Sequence, residues 1–337
     1  MRLHHTFVLP RRTPLRRASS IIALSCASML GCRGDAGSAG YSCIAPANPG
    51  GGWDFSCRAI ARALGATAPG GTLVDVINIP GDGGGVAFRR AVDKARARDQ
   101  VIVAASPSTL LGLAQQHYGP HTERDVRWIA AVDAEPSIIA VGARSRWHTL
   151  AEFLAEWKAH PEAVTIGGTS AVGGQDHMKM LLLARASGLD VRRVRYRPVA
   201  SPGEAIALVE SDSIQVFPAE LSKMLPQVRR GELRVLAVLG ERRASGLLAG
   251  VPTAREQGIN LAFVVWRGFY APAGISDAAY AQWVTALRTM SASAEWKAEL
   301  EKNGLAPYFL GGAEFERFVT DQTASYRTIS KDIGILP

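Results

Sequence analysis

With 337 residues, 47% of them hydrophobic and 20% charged, the chain is too long for one compact core and suits two globular units of ordinary size. Its formal charge of +8 is a poor sign of nucleic-acid binding. Five of its 38 Lys and Arg precede Cys32, and the remaining 33 against 30 acids leave only +3, so no nucleic-acid partner is expected.

Residues 1–31 read as a signal peptide of the lipoprotein type. Arg2, Arg11, Arg12, Arg16 and Arg17 form a basic start with no acid, and Ala18 to Leu30 is apolar but too short to span a bilayer. Met29-Leu30-Gly31-Cys32 resembles a lipobox, which predicts a lipid on Cys32 and a small polar tether over residues 32–40. Cleavage after Gly37-Ser38-Ala39 is the alternative, and it would leave a soluble periplasmic form. Both routes export the chain. Of the four cysteines, Cys26 leaves with the signal. Cys43 and Cys57 then form either a disulfide, as an oxidising compartment favours, or two buried thiols.

The mature chain opens with a short apolar strand, Cys43 to Ala47, followed by Asn48, Pro49, Gly50, Gly51, Gly52 and Trp53. Asp54 is placed as an N-cap, and Cys57, Ile60, Ala61 and Leu64 recur as one face of a helix. A loop without Cβ atoms at a helix N-terminus presents backbone N–H groups to an anion. Read alone, the three glycines could equally make a tight turn. Strands and helices then alternate: a strand over 73–79, a helix from Val86 to Arg96, a strand over 100–105, and a helix near Thr109 to Gln116 after Ser106. Further strands are predicted at 126–132 and 137–141. This order predicts an α/β protein with a mainly parallel sheet flanked by helices.

A second set follows from about Ser145. Leu150 to His160 reads as a helix and Val164 to Ile166 as a strand. Gly167 to Gly174 is a second bare loop, carrying Gly168, Thr169, Ser170, Gly173 and Gly174, and it opens a helix over 175–187 that holds His177. Strands near Val191, Ile214 and Leu233 alternate with helices over 202–210 and 222–229. Leu261 to Tyr270 is a long strand, and helices over 277–290, 294–303 and from Ala313 onward form a tail without strands. Phe315, Phe318, Gln322, Tyr326, Ile329 and Ile333 share one face of the last helix, which is expected on the first unit's sheet. The chain would cross between units near 142–147 and 262–268. The expected lobes are 41–144 plus 266–337, and 145–265.

Enzyme motifs fit poorly. Gly81 to Val86 has Val86 where a dinucleotide fingerprint needs its third glycine. Ser170 lacks the second glycine of a nucleophile elbow, and His117 with His121 has no third zinc ligand. Two bare loops facing one crevice fit a bound carboxylate or phosphate better. Trp53 is either a lid on that ligand or core. Arg267 pairs with either a ligand carboxylate or a structural acid, Ser106 either donates to ligand or caps its helix, and Glu220 is expected as a solvated acid. No catalytic residue, cofactor or metal is expected.

Four stretches in order, Ala45 to Arg58 (APANPGGGWDFSCR), Asn78 to Val86 (NIPGDGGGV), Gly231 to Val238 (GELRVLAV) with Val251 to Gly258 (VPTAREQG), and Trp266 to Gly274 (WRGFYAPAG), resemble the substrate-binding receptors of tripartite tricarboxylate transporters, the Bug receptors. Asp82 and Ile275 depart from the usual pattern, and neither lies in a binding loop. The resemblance implies a two-lobed periplasmic-binding-protein-like clamshell (type II) with a hinge of two crossing strands. It implies a small carboxylate held by backbone amides and waters between Asn48 to Asp54 and Gly168 to His177. Trp53-Asp54 and Trp266-Arg267-Gly268 look closer to members that take a tricarboxylate such as citrate. The implied partners are the membrane permease subunits of such a transporter, with the receptor a monomer. The other readings are a sensory receptor for an organic acid, or an exported enzyme that would need Asp54 or His177 as its base.

Overall fold

The computed structural model describes residues 40–67, 73–93, 98–244, 246–303 and 305–336, with the backbone alone at 222 and 223. The expected signal segment 1–31, Cys32 and the expected tether as far as residue 39 lie outside the described residues. β1 (Tyr41–Ala45) lies between β2 (Val74–Asn78) and β3 (Val101–Ala105), all three parallel. Cys43, Ile44 and Ala45 are all buried, as are the last four residues of β3. That explains why these strands read as continuous apolar runs rather than as alternation. The helices α1 (Gly52–Thr67), α2 (Gly85–Val92) and α3 (Pro107–Ala114) follow β1, β2 and β3 in turn.

β4 (Arg127–Gly142) is one strand of sixteen residues where two were expected. Asp133-Ala134-Glu135-Pro136 reads as a break, yet the chain stays extended because Arg267 neutralises both carboxylates from the neighbouring strand. From Arg127 to Pro136 it pairs antiparallel with β9 (Val264–Ala271), and from Ser137 to Gly142 with β7 (Phe217–Glu220) and β8 (Leu233–Leu239). The change of partner falls at Pro136–Ser137, earlier than the expected 142–147. The chain returns at Phe263, whose N–H donates to Leu239 and whose carbonyl accepts from Ser137, immediately before β9. One sheet region runs β2-β1-β3-β9-β4 and ends on β10 (Ala306–Gly311), antiparallel to β4. The expected strand-free tail therefore contains a strand. Tyr308-Phe309-Leu310 has the right composition, and Pro307 is tolerated because β10 is an edge.

The second sheet region joins β5 (Thr165–Gly168) and β6 (Arg195–Pro198), which are parallel, to β7 through an Ile166–Val216 bridge. β6 starts later than the expected strand near Val191. Val191–Arg193 is a 3-10 turn held by the Asp190 carboxylate, which accepts from Arg192 N. The strand expected near Ile214 likewise forms at 217–220. α4 (Leu150–Ala159), α5 (Gln175–Ser187), α6 (Pro202–Glu210) and α7 (Leu221–Arg229) flank this region. Two sheet regions joined through β4 and the approach to β9, with helices on their faces, form the two-lobed α/β clamshell that the chain order implies.

After β9 come α8 (Asp277–Ala292), α9 (Ala294–Lys302) and α10 (Ala313–Asp332). Trp283, Leu287, Met290, Trp296 and Leu300 pack from α8 and α9 against Ile102, Ala104, Ile129 and Phe269 of the first sheet region. Each fully buried aliphatic side chain there contributes roughly 1.5–3 kcal/mol. α10 buries Phe315, Val319, Thr323, Tyr326, Ile329 and Ser330; Phe318 and Ile333 pack half-buried beside them and Gln322 accepts from Trp266, so the expected face points inward and is wider than its spacing suggests. It packs on α3, β4 and β10, as expected, and also reaches α5, where Arg185 pairs with Asp332 at 2.6 Å.

Candidate functional site

The first loop is shaped by a carboxylate inside it. α1 begins at Gly52, so Asp54 sits in the first turn rather than at the N-cap. Asp54 is 2% exposed; its Oδ2 accepts from Gly50 N and from Arg58 Nε, both at 2.9 Å. Its Oδ1 accepts from Asn78 Nδ2 at 2.9 Å, and Asn78 also donates to the Ala47 carbonyl. The Arg58 hydrogen bond, with help from Gly50 and Asn78, outweighs burial and lowers the Asp54 carboxyl to about 2. Gly50 has φ +84°, a conformation glycine adopts without strain. A Cys43–Cys57 disulfide ties β1 to α1 across the loop. Asn48, Pro49, Gly50 and Gly52 remain exposed, and Gly51 and Trp53 are half-buried. Trp53 Nε1 donates to Ser106 Oγ at 3.2 Å, and Ser106 caps α3.

The second loop repeats the device. Asp176, in the first turn of α5, accepts from Thr169 N at 2.8 Å and from Thr169 Oγ1 at 2.9 Å through its Oδ2. Its Oδ1 accepts from Lys179 Nζ at 2.9 Å. Ser170 Oγ accepts from Asp176 N and lies 3.1 Å from Tyr196 OH, which donates to the Ser170 carbonyl. A Cβ on Gly168 would collide with Asp176 and Tyr196. His177 stacks on Tyr196 with centroids 4.4 Å apart, and its Nδ1 accepts from Gly173 N. That bond leaves Nε2 carrying the proton; Nε2 is buried with no hydrogen-bond partner. Burial lowers the imidazole to about 4, so His177 is neutral at pH 7.

Glu220 is not solvated, contrary to expectation. It is 4% exposed, and its Oε1 accepts from Lys179 Nζ at 2.6 Å and from Gln175 Nε2 at 2.8 Å. Lys179 is fully buried. Desolvation works against its charge, but Asp176 and Glu220 together outweigh it and raise its pKa.

The N-terminal part of α3 lies between the two loops. Ser106 accepts from Trp53 of the first, and Ser108 Oγ donates to Gln175 Oε1 beside the second, at 3.2 Å. At the other end of α3, Gln115 Nε2 donates to the Gly173 carbonyl at 2.7 Å and to Ser330 Oγ. Asn48 to Asp54, Ser106 and Gly168 to His177 therefore share one hydrogen-bonded neighbourhood. Arg267 does not join it through any of its hydrogen bonds. Its guanidinium donates to Asp133 at 2.9 Å and to Glu135 at 3.3 Å, where β4 approaches its change of partner. Burial works against the guanidinium, and the two acids raise its pKa.

Asp176, Lys179, Gln175, Ser108 and Asn78 were missed by sequence reasoning. A signal existed: Gly-x-Asp opens both helices, at Gly52-Trp53-Asp54 and Gly174-Gln175-Asp176, with a cation one turn on at Arg58 or Lys179. Among the described residues no cluster of acids, histidines and cysteines could hold a metal ion, and no helix is long and apolar enough to cross a membrane.

The tripartite tricarboxylate transporter family receptor profile, TctC, matches residues 60–335. The chain belongs to this family. It is 25% identical over 299 residues to the protein BugT of Bordetella pertussis, covering 86% of this chain and 88% of BugT. Its fold is similar to that of a TctC solute-binding protein from Polaromonas, with a TM-score of 0.73, 22% identity, and coverage of 86% of this chain and 97% of that one. It is also similar to MatC from Rhodopseudomonas palustris, solved with bound malate, with a TM-score of 0.63, 18% identity, and coverage of 86% and 98%. The family is one of substrate-binding receptors rather than enzymes.

Proposed function

We propose that this receptor captures a small carboxylate between its two bare loops and delivers it to the membrane permease subunits of a tripartite tricarboxylate transporter. The observation that carries this reading is the pair of loops, each opening a helix and each held by a carboxylate of its first turn, with the start of α3 joined to both. The brackets use Gly50 N and Thr169 N, and Ser170 Oγ takes Asp176 N, so a ligand would meet the other N–H groups at the starts of α1 and α5, since the first N–H groups of a helix have no partner within it. Asn48, Gly50, Gly51, Gly52 and Trp53 would line one side, Ser106 the base, and Gly168, Thr169, Ser170, Gly173, Gly174 and His177 the other. Asp54 holds the first loop in shape, and Arg267 belongs to the strand crossing, so neither is given a ligand contact here.

The lobes in this reading divide where β4 changes partner, 41–136 with 264–336, and 137–263, rather than at 144 and 266. The setting is the periplasm, with the receptor a monomer and Cys32 the point of lipid attachment; the mass of the mature N-terminus tests that attachment. A dicarboxylate such as malate, bound by MatC, is as good a candidate as citrate. A thermal-shift screen of the mature protein against malate, citrate, amino acids and aromatic acids tests the reading. A ligand at about 100 times its Kd stabilises by ~2.7 kcal/mol. A melt that moves with a sugar or peptide and with no organic acid overturns it.

A further inference from the structure

Lys179 has no role in the ligand contacts proposed above, yet it is the most deeply buried charge near them. It is 0% exposed, on the second turn of α5, and its ammonium is hydrogen-bonded to two carboxylates that are themselves 4% exposed. Burying one cation with two anions costs several kcal/mol per ion before their attraction is counted, so a core built for stability alone would use apolar residues here. The two carboxylates have separate second tasks. Asp176 turns its other oxygen to the Thr169 N–H and hydroxyl, in the middle of the second loop. Glu220, at the end of β7, accepts from Gln175, whose carbonyl oxygen accepts from Ser108 on α3.

We propose that Lys179 is a positioning residue for the second loop. Its ammonium fixes the Asp176 carboxylate in the orientation that holds Thr169, and fixes Glu220 in the orientation that holds Gln175 toward Ser108. One buried charge thereby sets the shape of the loop and ties it to the helix that carries Ser106. Phe263 lies beneath the ammonium, with Nζ 5.8 Å from its ring centroid, and closes the site from the side of the strand crossing. The effect on ligand affinity rests on the reading of this loop as a carboxylate holder; the effect on the loop itself does not.

The test separates these two effects. Lys179→Met alone strands two buried carboxylates and lowers the melting temperature. Lys179→Met with Glu220→Gln returns the cluster to its wild-type net charge, leaving Asp176 ionised on its two Thr169 donors, and is expected to recover part of that loss. Amide exchange is then measured without ligand on the peptide spanning 165–174 in the full chain. The double variant is expected to exchange at least tenfold faster there than wild type, with β1 and β3 unchanged. Affinity for whichever organic acid of the thermal-shift screen binds the wild type is expected to fall at least tenfold. Wild-type exchange in the stable double variant overturns the positioning role. Faster exchange with unchanged affinity overturns its bearing on the ligand. If no organic acid of the thermal-shift screen binds the wild type, the carboxylate reading fails, while the exchange result still decides the role of Lys179.

Discussion

Asp54 and Asp176 do the same work in two unrelated stretches of chain. Each sits in the first turn of a helix and accepts from a loop N–H four or seven residues upstream, at 2.9 Å for Gly50 and 2.8 Å for Thr169. Each is also bonded to a cation one turn further on, Arg58 or Lys179, at 2.9 Å. An acid near a helix N-terminus is favoured by the helix dipole, and here it also shapes the loop in front. Asp54→Ala removes the acceptor of three donors at once and is expected to cost about 2 kcal/mol, since hydrogen bonds to charged groups contribute roughly 1.5–3 kcal/mol each and Arg58 recovers solvation. Urea unfolding measures this. A loss below about 0.5 kcal/mol would mean that the loop holds its shape without the bracket.

How far the sequence revealed this site depended on the range of the interactions. The bare loops and the helices they open are local features that spacing alone exposed, whereas the Cys43–Cys57 bond was one of two readings and rested on the compartment. α5 and α6 were placed to the residue, because glycine or serine-proline marks their starts. The continuous β4 was not legible, because Asp133 and Glu135 look like a surface turn until Arg267, more than a hundred residues later, is set beside them. Glu220 looked solvated for the same reason. A buried acid is recognisable only through its partner, and Lys179 reaches it through the fold.

Cys43 and Cys57 are both fully buried, and their bond closes a loop of fourteen residues' separation around the first glycine loop. In the chain-entropy model a loop of about 15 residues is worth ~3 kcal/mol. Reduction, or Cys43→Ala with Cys57→Ala, is expected to lower stability by that order. If the loop is the binding element, carboxylate affinity falls more than the lost stability alone requires. Equal denaturation midpoints for the oxidised and reduced forms would contradict the first part.

His177 makes stability depend on pH. Its folded pKa, about 4, lies below the ordinary 6.5, so between those values the unfolded chain binds a proton that the folded chain refuses. The contribution of His177 is complete above pH 6.5 and is lost as pH falls toward 4, by on the order of 3 kcal/mol. Asp133 acts in the opposite sense. Burial, against the pull of Arg267, raises its carboxyl to about 6, so its contribution is present below the ordinary carboxylate range and is lost as pH rises through 6. The two slopes overlap, and only a comparison isolates the histidine. Wild type should lose stability relative to His177→Gln as pH drops from 6.5 to 4. Parallel curves over that range would mean that His177 titrates normally.

Arg267 is largely buried, its side chain 19% exposed, and its partners are more so: Asp133 and Glu135 are each 1% exposed, and their charges meet the guanidinium where two strands approach the change of sheet. Removing one partner of a buried ion pair typically costs 3–5 kcal/mol, because the remaining charge is left without its counter-ion. Arg267→Met is expected to lose about that much, and Asp133→Asn in the same chain should restore a large part of it. The double variant also distinguishes the two roles the residue could play. If Arg267 serves the strand crossing, the restored protein binds its carboxylate with wild-type affinity. If the restored protein is stable and no longer binds, the guanidinium reaches the ligand after all, and the hinge assignment is wrong.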